Sequence, residues 1–245
     1  MNYQLVTEEI VKWIKSKVEE AGARGAVVGL SGGIDSAVVM ALCKKACLSD
    51  CLGVIMPCES SEEDILDAKL VADHLKVPYK VIDLTATYRT FLETVSDPEY
   101  ADVPRMARAN IKPRLRMTTL YYLGALHNYL VMGTGNKSEI VIGYYTKYGD
   151  GGVDLEPIGN LVKSQVKELA RYLQIPEKII TKAPTAGLWK GQTDEAEMGF
   201  TYQELDNYIL YGTASEEAKN KIERLRYLSE HKRHVPPLGP AFDLK

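Results

Sequence analysis

The hydrophobic residues of this sequence alternate between helical spacing and short continuous runs. Helical spacing near the amino terminus predicts an amphipathic helix over residues 3–21. Its apolar face consists of Val6, Ile10, Trp13, Ile14 and Val18. Apolar runs then occur at residues 26–30, 52–56, 80–84 and 129–133, with helical stretches between them. This alternation predicts an α/β fold, a doubly wound parallel sheet with helices on both faces and ligands at the carboxyl ends of the strands.

The pattern changes after residue 133. A polar, glycine-rich passage holds five glycines between residues 143 and 159, which is too many for a packed element. Helical spacing returns over residues 161–173, and two more helices are predicted at residues 202–211 and 214–230. Residues 181–199, which precede these last two helices, lack periodicity and predict a long loop. Loops of that length in a compact domain are usually functional or disordered, so we expect a mobile segment here.

Composition restricts the class of protein. The chain has 245 residues, 45% of them hydrophobic, which favours one domain over residues 1–245. The formal net charge is −3, so a long nucleic acid is disfavoured as a partner. The sequence shows neither a secretion signal nor an apolar stretch long enough to span a membrane. We therefore expect a cytoplasmic protein with no membrane contact.

Four cysteines lie close together in the sequence, at Cys43, Cys47, Cys51 and Cys58. The first three would share one face of a helix if that helix extended so far. One interpretation is a metal or iron–sulfur site. The spacing contains no Cys-x-x-Cys, however, and the residues fall on a predicted core helix and strand, which favours reduced core thiols.

A glycine-rich turn follows the first apolar run. Residues 29–36 read Gly-Leu-Ser-Gly-Gly-Ile-Asp-Ser, and a helix is predicted to start within them. Free backbone N–H groups at a helix start hold anions, so the turn favours a polyphosphate. Asp35 would repel that phosphate unless a hard cation such as Mg²⁺ lay between them. The alternative is a plain turn in which Asp35 only favours the helix dipole. The turn lacks the lysine of a Walker A motif and the spacing of a dinucleotide fingerprint.

The segment from Ser31 to Ser36 resembles the SGGxDS loop of the ATP pyrophosphatases, which split ATP into AMP and pyrophosphate. A second resemblance, to the NAD synthetases, covers nearly all of the remaining chain. It rests on blocks in that family's order, beginning with Asn110-x-Lys-Pro-Arg-x-Arg-Met117. The family usually has alanine at Pro113, and proline suits the first position of a helix. The later blocks are Gly133-Thr134 with Glu139, residues 144–154, Lys163, Pro184-Thr185, Asp194-Glu195 and residues 230–233.

The resemblance implies a role for each matching residue. The implied ATP contacts are Gly29, Leu30, Ser31, Gly32, Gly33, Ile34, Asp35, Ser36, Thr134, Lys163 and Thr185. The implied Mg²⁺ ligands are Asp35 and Glu139. The implied contacts to deamido-NAD (nicotinic acid adenine dinucleotide) are Arg114, Lys147, Asp154, His231 and Lys232. Several also have an ordinary interpretation: Glu139 as a solvated residue at a helix start, Lys163 as surface charge on an amphipathic helix, Arg114 as part of a solvated helix face, and His231 and Lys232 as favourable charge at a helix end.

The resemblance also implies the fold of the adenine nucleotide α-hydrolases and the last step of NAD biosynthesis. ATP would activate the carboxylate of deamido-NAD as an adenylate, and ammonia would displace AMP without a protein nucleophile. The length leaves no room for a glutaminase domain, so free ammonia is the expected nitrogen source. The family further implies a homodimer, and residues 181–199 with Trp189 are the candidate lid. The alternatives are another ATP pyrophosphatase, such as a GMP synthetase or tRNA-thiolating enzyme, or a non-enzymatic nucleotide-binding module.

Overall fold

The computed structural model describes residues 1–47, 50–96, 103–189 and 191–240. Its parallel sheet contains β1 (Gly25–Gly29), β2 (Cys51–Ile55), β3 (Tyr79–Val81) and β4 (Tyr129–Met132). The strand order is β3-β2-β1-β4, and Ala26 of β1 lies opposite Cys51 of β2 and Leu130 of β4. The strand order reverses between β1 and β4. A crevice opens at such a switch point, beyond the carboxyl ends of the strands.

Helices connect the strands and continue after the sheet. Those that precede β4 are α1 (Tyr3–Glu20), α2 (Ile34–Cys47), α3 (Glu62–Leu75), α4 (Thr85–Val95), α5 (Arg105–Ala109) and α6 (Ile111–His127). Those that follow it are α7 (Lys137–Ile142), α8 (Lys163–Tyr172), α9 (Glu177–Thr181), α10 (Asp194–Met198), α11 (Tyr202–Tyr211) and α12 (Glu216–Leu228). A short 3₁₀-helix, Glu230–Lys232, comes next.

Both faces of the sheet are covered, which confirms the predicted fold. On one face α1, α2 and α8 pack through buried residues that include Ile14, Met40 and Leu169. On the other face α4 and α6 contribute Tyr88 and Leu120, which pack with buried strand residues. A third cluster, built around Leu205 and Ile222, joins α7, α11 and α12 beside the sheet.

Several predicted boundaries shift. The strand predicted at residues 80–84 is three residues long, although Ile82 and Leu84 still donate backbone hydrogen bonds to Ile55 and Pro57. The helix predicted from residue 161 begins at Lys163, and the helix predicted at residues 214–230 is α12. The prediction of a continuous loop over residues 181–199 was wrong at its end, because α10 occupies Asp194–Met198. Five residues are too few to show a helical period.

Two further expectations are corrected at helix ends. Pro113 is the third residue of α6, which begins at Ile111. The N–H groups of a first helical turn have no partner within the helix, so proline fits there too. Helix α2 ends at Cys47, and Cys51 starts β2, so the three cysteines do not share one helix. None of the helices in the described part of the chain has the length and apolarity to span a membrane.

Candidate active site

The turn between β1 and α2 has a backbone that requires glycine at Gly32. Its φ is +81°, and a Cβ there would lie 2.5 Å from the backbone oxygen of Asp64. The Ser36 hydroxyl donates to the carbonyl of Gly33 at 2.9 Å and accepts from the N–H of Ser31 at 3.3 Å. These bonds fix the start of α2 at the carboxyl end of β1.

A cavity of about 570 Å³ opens beside this turn, which is an ordinary size for a small-molecule site. It brings together most of the residues singled out in the sequence. Those that line it are Gly29, Leu30, Ser31, Gly33, Ile34, Asp35, Ser36, Arg114, Thr134, Glu139, Lys147, Lys163, Thr185, His231 and Lys232. Residues that the sequence placed more than a hundred positions apart therefore share one site.

Two of the predicted residues lie outside the lining of this cavity. Gly32 faces α3, where an added Cβ would lie 2.5 Å from the backbone oxygen of Asp64 and 3.0 Å from the Cβ of Asp67. The Asp154 carboxylate accepts hydrogen bonds from the Val131 N–H at 2.8 Å and from the Tyr121 hydroxyl at 3.0 Å. Within this chain Asp154 thus secures the edge strand β4 against α6.

Lys163 connects the two carboxylates that the sequence suggested as metal ligands. Its ammonium lies 2.6 Å from Asp35 and 3.2 Å from Glu139, and only 3% of its side chain is exposed. The interpretation of Lys163 as ordinary surface charge is therefore wrong. Asp35 and Glu139 therefore face the same ammonium beside the glycine-rich turn.

Burial and charge compete within this group. Burial raises the pKa of Glu139 to about 7, and the neighbouring Asp35 adds to the shift while Lys163 opposes it. Burial alone would lower the pKa of Lys163, but Asp35 and Glu139 outweigh it and raise that pKa above its usual value. The lysine therefore keeps its charge, and a buried cation compensates two closely spaced acids.

Asn136 supports both carboxylates and was missed in the sequence. It is fully buried, and its amide donates to Asp35 at 3.0 Å. Its side-chain oxygen accepts from the N–H of Glu139, whose carboxylate accepts in turn from the N–H of Asn136. This reciprocal cap starts α7. The Asn-x-x-Glu spacing is a helix-start signal that would have identified the residue.

A second buried group joins the site to α10. The Tyr202 hydroxyl donates to Asp194 at 2.9 Å and lies 3.2 Å from Glu139. Tyr144 donates to Asp194 and to Glu197. Burial raises the pKa of Asp194. The Tyr202 hydroxyl therefore links Asp194 of α10 to Glu139 of the carboxylate pair.

Asp206 and Ser138 hold the backbone at Lys163, and the sequence did not reveal this role for either residue. Asp206 of α11 accepts from the Ser164 N–H at 2.7 Å and from the Ser138 hydroxyl at 2.6 Å. The Ser138 oxygen accepts from the N–H of Lys163 at 3.1 Å. These bonds satisfy the first N–H groups of α8 and fix the direction from which Lys163 enters the cavity.

Several cationic side chains also line the cavity. Lys147 donates to the carbonyl of His231 at 2.7 Å, and Arg114 lies 3.4 Å from the carbonyl of Lys147. Lys232 donates to the carbonyls of Gly143 and Tyr145 at 2.7 and 2.6 Å. Lys232 and the His231 carbonyl thus fasten the last part of the described chain onto residues 143–147. Arg114 is exposed and free of a carboxylate partner among the described residues.

The cysteines are inert in this arrangement. Burial raises the pKa of the Cys43 and Cys58 thiols, and raises that of Cys47 to about 11. Thiols of this kind stay protonated and react slowly. Within the described ranges, no group of three or more His, Cys, Asp or Glu residues is placed to hold a metal ion.

Comparison with known proteins gives one consistent result. The family model described as NAD synthase matches residues 6–236. The NH(3)-dependent NAD(+) synthetase of Carboxydothermus hydrogenoformans is 54% identical over 96% of this chain and 97% of that relative. The solved NMN synthetase of Francisella tularensis has a TM-score of 0.93 at 38% identity, over 99% of this chain and 100% of that one. The NH3-dependent NAD synthetase of Campylobacter jejuni has a TM-score of 0.81 at 32% identity, over 98% and 100%.

Proposed function

Because this chain belongs to the NAD synthase family, we propose that it amidates deamido-NAD with ammonia, using ATP and releasing NAD, AMP and pyrophosphate. The observation that carries this proposal is the cavity itself. Its lining combines the glycine-rich turn and two carboxylates with the cations Arg114 and Lys147. The family membership sets aside the GMP synthetase, tRNA-thiolating and non-enzymatic alternatives.

The reaction proceeds in two displacements. The nicotinate carboxylate attacks the α-phosphorus of ATP, which forms an acyl adenylate and expels pyrophosphate. Ammonia then attacks the acyl carbon, AMP leaves, and one proton is released. A carboxylate alone has no adequate leaving group, so ATP supplies one. Alignment of the two nucleotides and stabilisation of charge are the contributions expected of the protein.

The ATP phosphates would bind at the turn of residues 29–36, on the N–H groups at the start of α2. Thr134 and Thr185 line the same cavity and offer hydroxyl groups. Lys163 would turn its ammonium towards the departing pyrophosphate, where negative charge develops. Asp35 and Glu139 now hold that ammonium close to the turn.

Asp35 and Glu139 fit Mg²⁺. Both present carboxylate oxygens to one point, and Mg²⁺ commonly takes one or two protein carboxylates while water and substrate phosphates supply its other ligands. When bound, the ion would neutralise charge on the triphosphate and orient it. Asn136 would hold Asp35 and Glu139 in position for this role.

The dinucleotide would lie along the cationic end of the cavity. Arg114 and Lys147 match its two phosphates and its free carboxylate, and His231 lies beside them. Lys232 would act mainly by holding residues 143–147 in place, because its ammonium already serves two carbonyls. A direct contact from Asp154 stays a prediction, since its carboxylate is bonded outside this cavity.

Residues 181–199 would act as a lid. Lys182, Thr185, Leu188 and Gln192 line the cavity. An acyl adenylate is hydrolysed by water, so a cover that excludes water is chemically required. Gly187 and Gly191 have positive φ values, and a Cβ at either would meet no atom, which leaves room for hinge motion.

A homodimer and a cytoplasmic location complete the proposal. Helix α6 carries Arg114 at one end and exposes Tyr122 and Leu126 further along, with 65% and 60% of their surfaces accessible. Large apolar residues on an element that also lines the cavity suit a subunit interface next to the dinucleotide. The dimer therefore stays a prediction supported by this face.

A second candidate is amidation of the mononucleotide. The Francisella tularensis structure of TM-score 0.93 is an NMN synthetase, which makes nicotinate mononucleotide, the acid corresponding to NMN, the alternative acceptor. Both acceptors carry the same reacting carboxylate. They differ in the adenylate half of the dinucleotide, which needs additional contacts.

The proposal is tested by comparing the two acceptors in separate assays. The protein is assayed with ATP, Mg²⁺ and ammonium, and with deamido-NAD or nicotinate mononucleotide. We expect the higher kcat/KM for deamido-NAD, with NAD as the product. A higher value for the mononucleotide would assign the second candidate, and formation of neither amide would contradict both.

A further inference from the structure

Lys112 is a buried lysine that no step of the proposed reaction uses. It is the second residue of α6, and only 7% of its side chain is exposed. Lysine is almost never buried to this degree unless its charge is paired. Its surroundings therefore indicate what the charge does.

The ammonium of Lys112 has one partner that can move and two that are fixed. The fixed partners are the Glu59 carboxylate at 3.2 Å, in the segment after β2, and the ring of Tyr88 of α4 at 5.1 Å. The other partner is the carbonyl of Leu188 at 3.0 Å, in the centre of residues 181–199. Lys112 thus joins the body of the fold to the middle of the proposed lid.

The neighbouring residue of the lid makes a second contact with the same wall. The Arg105 guanidinium lies 5.5 Å from the centre of the Trp189 ring. Gly187 precedes this contact pair and Gly191 follows it, both with positive φ. Leu188 and Trp189 therefore form a tip that rests on Lys112 and Arg105.

The two ends of the lid are attached elsewhere. At the start, Lys182 lies 2.8 Å from Asp64 and 2.6 Å from the buried Asp67 of α3. At the end, Asp194 is bonded to Tyr202 and Tyr144. The tip can consequently separate from Lys112 while both ends remain in place.

We propose that Lys112 is a positioning residue that latches the lid in its closed position through the Leu188 carbonyl. This inference rests on the lid role proposed above. A neutral carbonyl binds an ammonium less tightly than a carboxylate does, so the contact can break in each catalytic cycle. Glu59 keeps the lysine charge paired when the lid opens. Loss of one charge-assisted hydrogen bond would lower the closed-to-open ratio roughly tenfold to a hundredfold.

The chain supplies its own reporter, because Trp13 and Trp189 are its two tryptophans. In a Trp13→Phe background, Trp189 fluorescence reports the tip, and acrylamide quenching measures its exposure without any substrate. We expect Lys112→Met to raise the quenching constant towards that of the urea-unfolded chain. Lys221→Met is the matched control, since Lys221 donates at 3.1 Å to the carbonyl of Gly199, the last residue of the lid and not part of its tip. The Lys221→Met variant should leave the quenching constant of Trp189 unchanged.

Two more variants separate a latch from a purely structural ion pair. Glu59→Gln removes the fixed carboxylate but keeps the donor for Leu188, so Trp189 should stay protected. Lys112→Arg keeps a charged donor and should quench like the parent. If Lys112→Met does not fold, Lys112→Gln takes its place, because its amide is too short to reach Leu188.

Activity gives the second measurement. In the Trp13→Phe background, Lys112→Met should lower kcat with ammonium and increase adenylate loss to water, while circular dichroism remains native. Equal quenching in Lys112→Met and its parent would overturn the latch. Because quenching needs no substrate, that result is distinct from a failure to amidate deamido-NAD, which would overturn the proposed function and leave the quenching result intact.

Discussion

The ammonium of Lys163 lies 2.6 Å from the carboxylate of Asp35, and both side chains are largely shielded from solvent. The same ammonium contacts Glu139. In this state a lysine supplies the positive charge at the point where the proposal puts Mg²⁺. Lysine and metal would therefore compete for the same carboxylates until the ATP phosphates provide the lysine with another partner.

Replacing Lys163 with methionine tests that competition. The change leaves two buried carboxylates without their cation, which should lower the free energy of unfolding by about 3–5 kcal/mol without metal. Mg²⁺ should then raise the melting temperature of the variant more than that of the unmodified protein. Equal Mg²⁺ effects on both proteins would contradict a shared cation site. Thermal unfolding with and without Mg²⁺ measures the difference.

Asp35→Asn tests the metal assignment through turnover. Asparagine has nearly the same shape, so the fold should persist, but loss of a metal-binding charge should reduce kcat by roughly a hundredfold or more. Asp50→Asn is a suitable control, because Asp50 pairs with Arg24 and Tyr129 near the amino end of β2. Unchanged turnover in Asp35→Asn would remove Asp35 from the metal site.

Glu156 should make stability depend on pH. Burial raises the pKa of Glu156 from 4.5 to about 8, against one hydrogen bond from the N–H of Gly135. The folded protein then keeps a proton that the unfolded chain releases. The stability that the Glu156 carboxyl group contributes is fully present below pH 4.5 and is lost as the pH rises towards 8. Glu139 adds to the same trend up to about pH 7.

The variant Glu156→Gln removes this titration and keeps an oxygen for Gly135. It should match the unmodified protein near pH 5 and exceed its free energy of unfolding near pH 8, by on the order of 3 kcal/mol. Urea unfolding at both pH values gives the comparison. A parallel pH dependence in the two proteins would show that Glu156 titrates normally.

The lid should gain protection when both nucleotides bind. Hydrogen exchange in residues 181–199 should slow when ATP and deamido-NAD are present together, because closure removes backbone N–H groups from water. The helix α1 serves as an internal reference, since none of its residues lines the cavity. If exchange in the loop did not respond to the two nucleotides, the lid would have to be abandoned.

The sequence was sufficient for the sheet and for most of the cavity. Continuous apolar runs mark strands buried on both faces, and the glycine turn carries its own chemistry at the end of β1. Lys163 was recognised, but its burial was not. A polar residue at the start of a helix has the same one-dimensional pattern whether it faces water or a pocket.

Long-range pairs were beyond the sequence. Asn136 reaches Asp35 across 101 positions, and Lys112 reaches Leu188 across 76. Neither contact leaves a periodic pattern in the sequence, because each depends on how separate elements pack. Helix α10 was missed for a local reason: Asp194–Met198 is too short and too acidic to display an apolar face.

The nitrogen source needs a separate comparison. With ammonium chloride as donor, NAD should form readily. With glutamine at the same concentration, the chain should form little, because burial raises the pKa of all four cysteine thiols and keeps them protonated, so none of them provides a thiolate for glutamine hydrolysis. Efficient use of glutamine would contradict ammonia as the direct substrate.

The most direct test of the central claim follows the amide nitrogen itself. The protein is incubated with ATP, Mg²⁺, deamido-NAD and isotope-labelled ammonium, and the products are quantified by mass spectrometry. The account predicts labelled nitrogen in the carboxamide of NAD, with one AMP and one pyrophosphate formed per NAD and none formed without the acceptor. Release of ADP and phosphate, or AMP formation that does not depend on deamido-NAD, would contradict it.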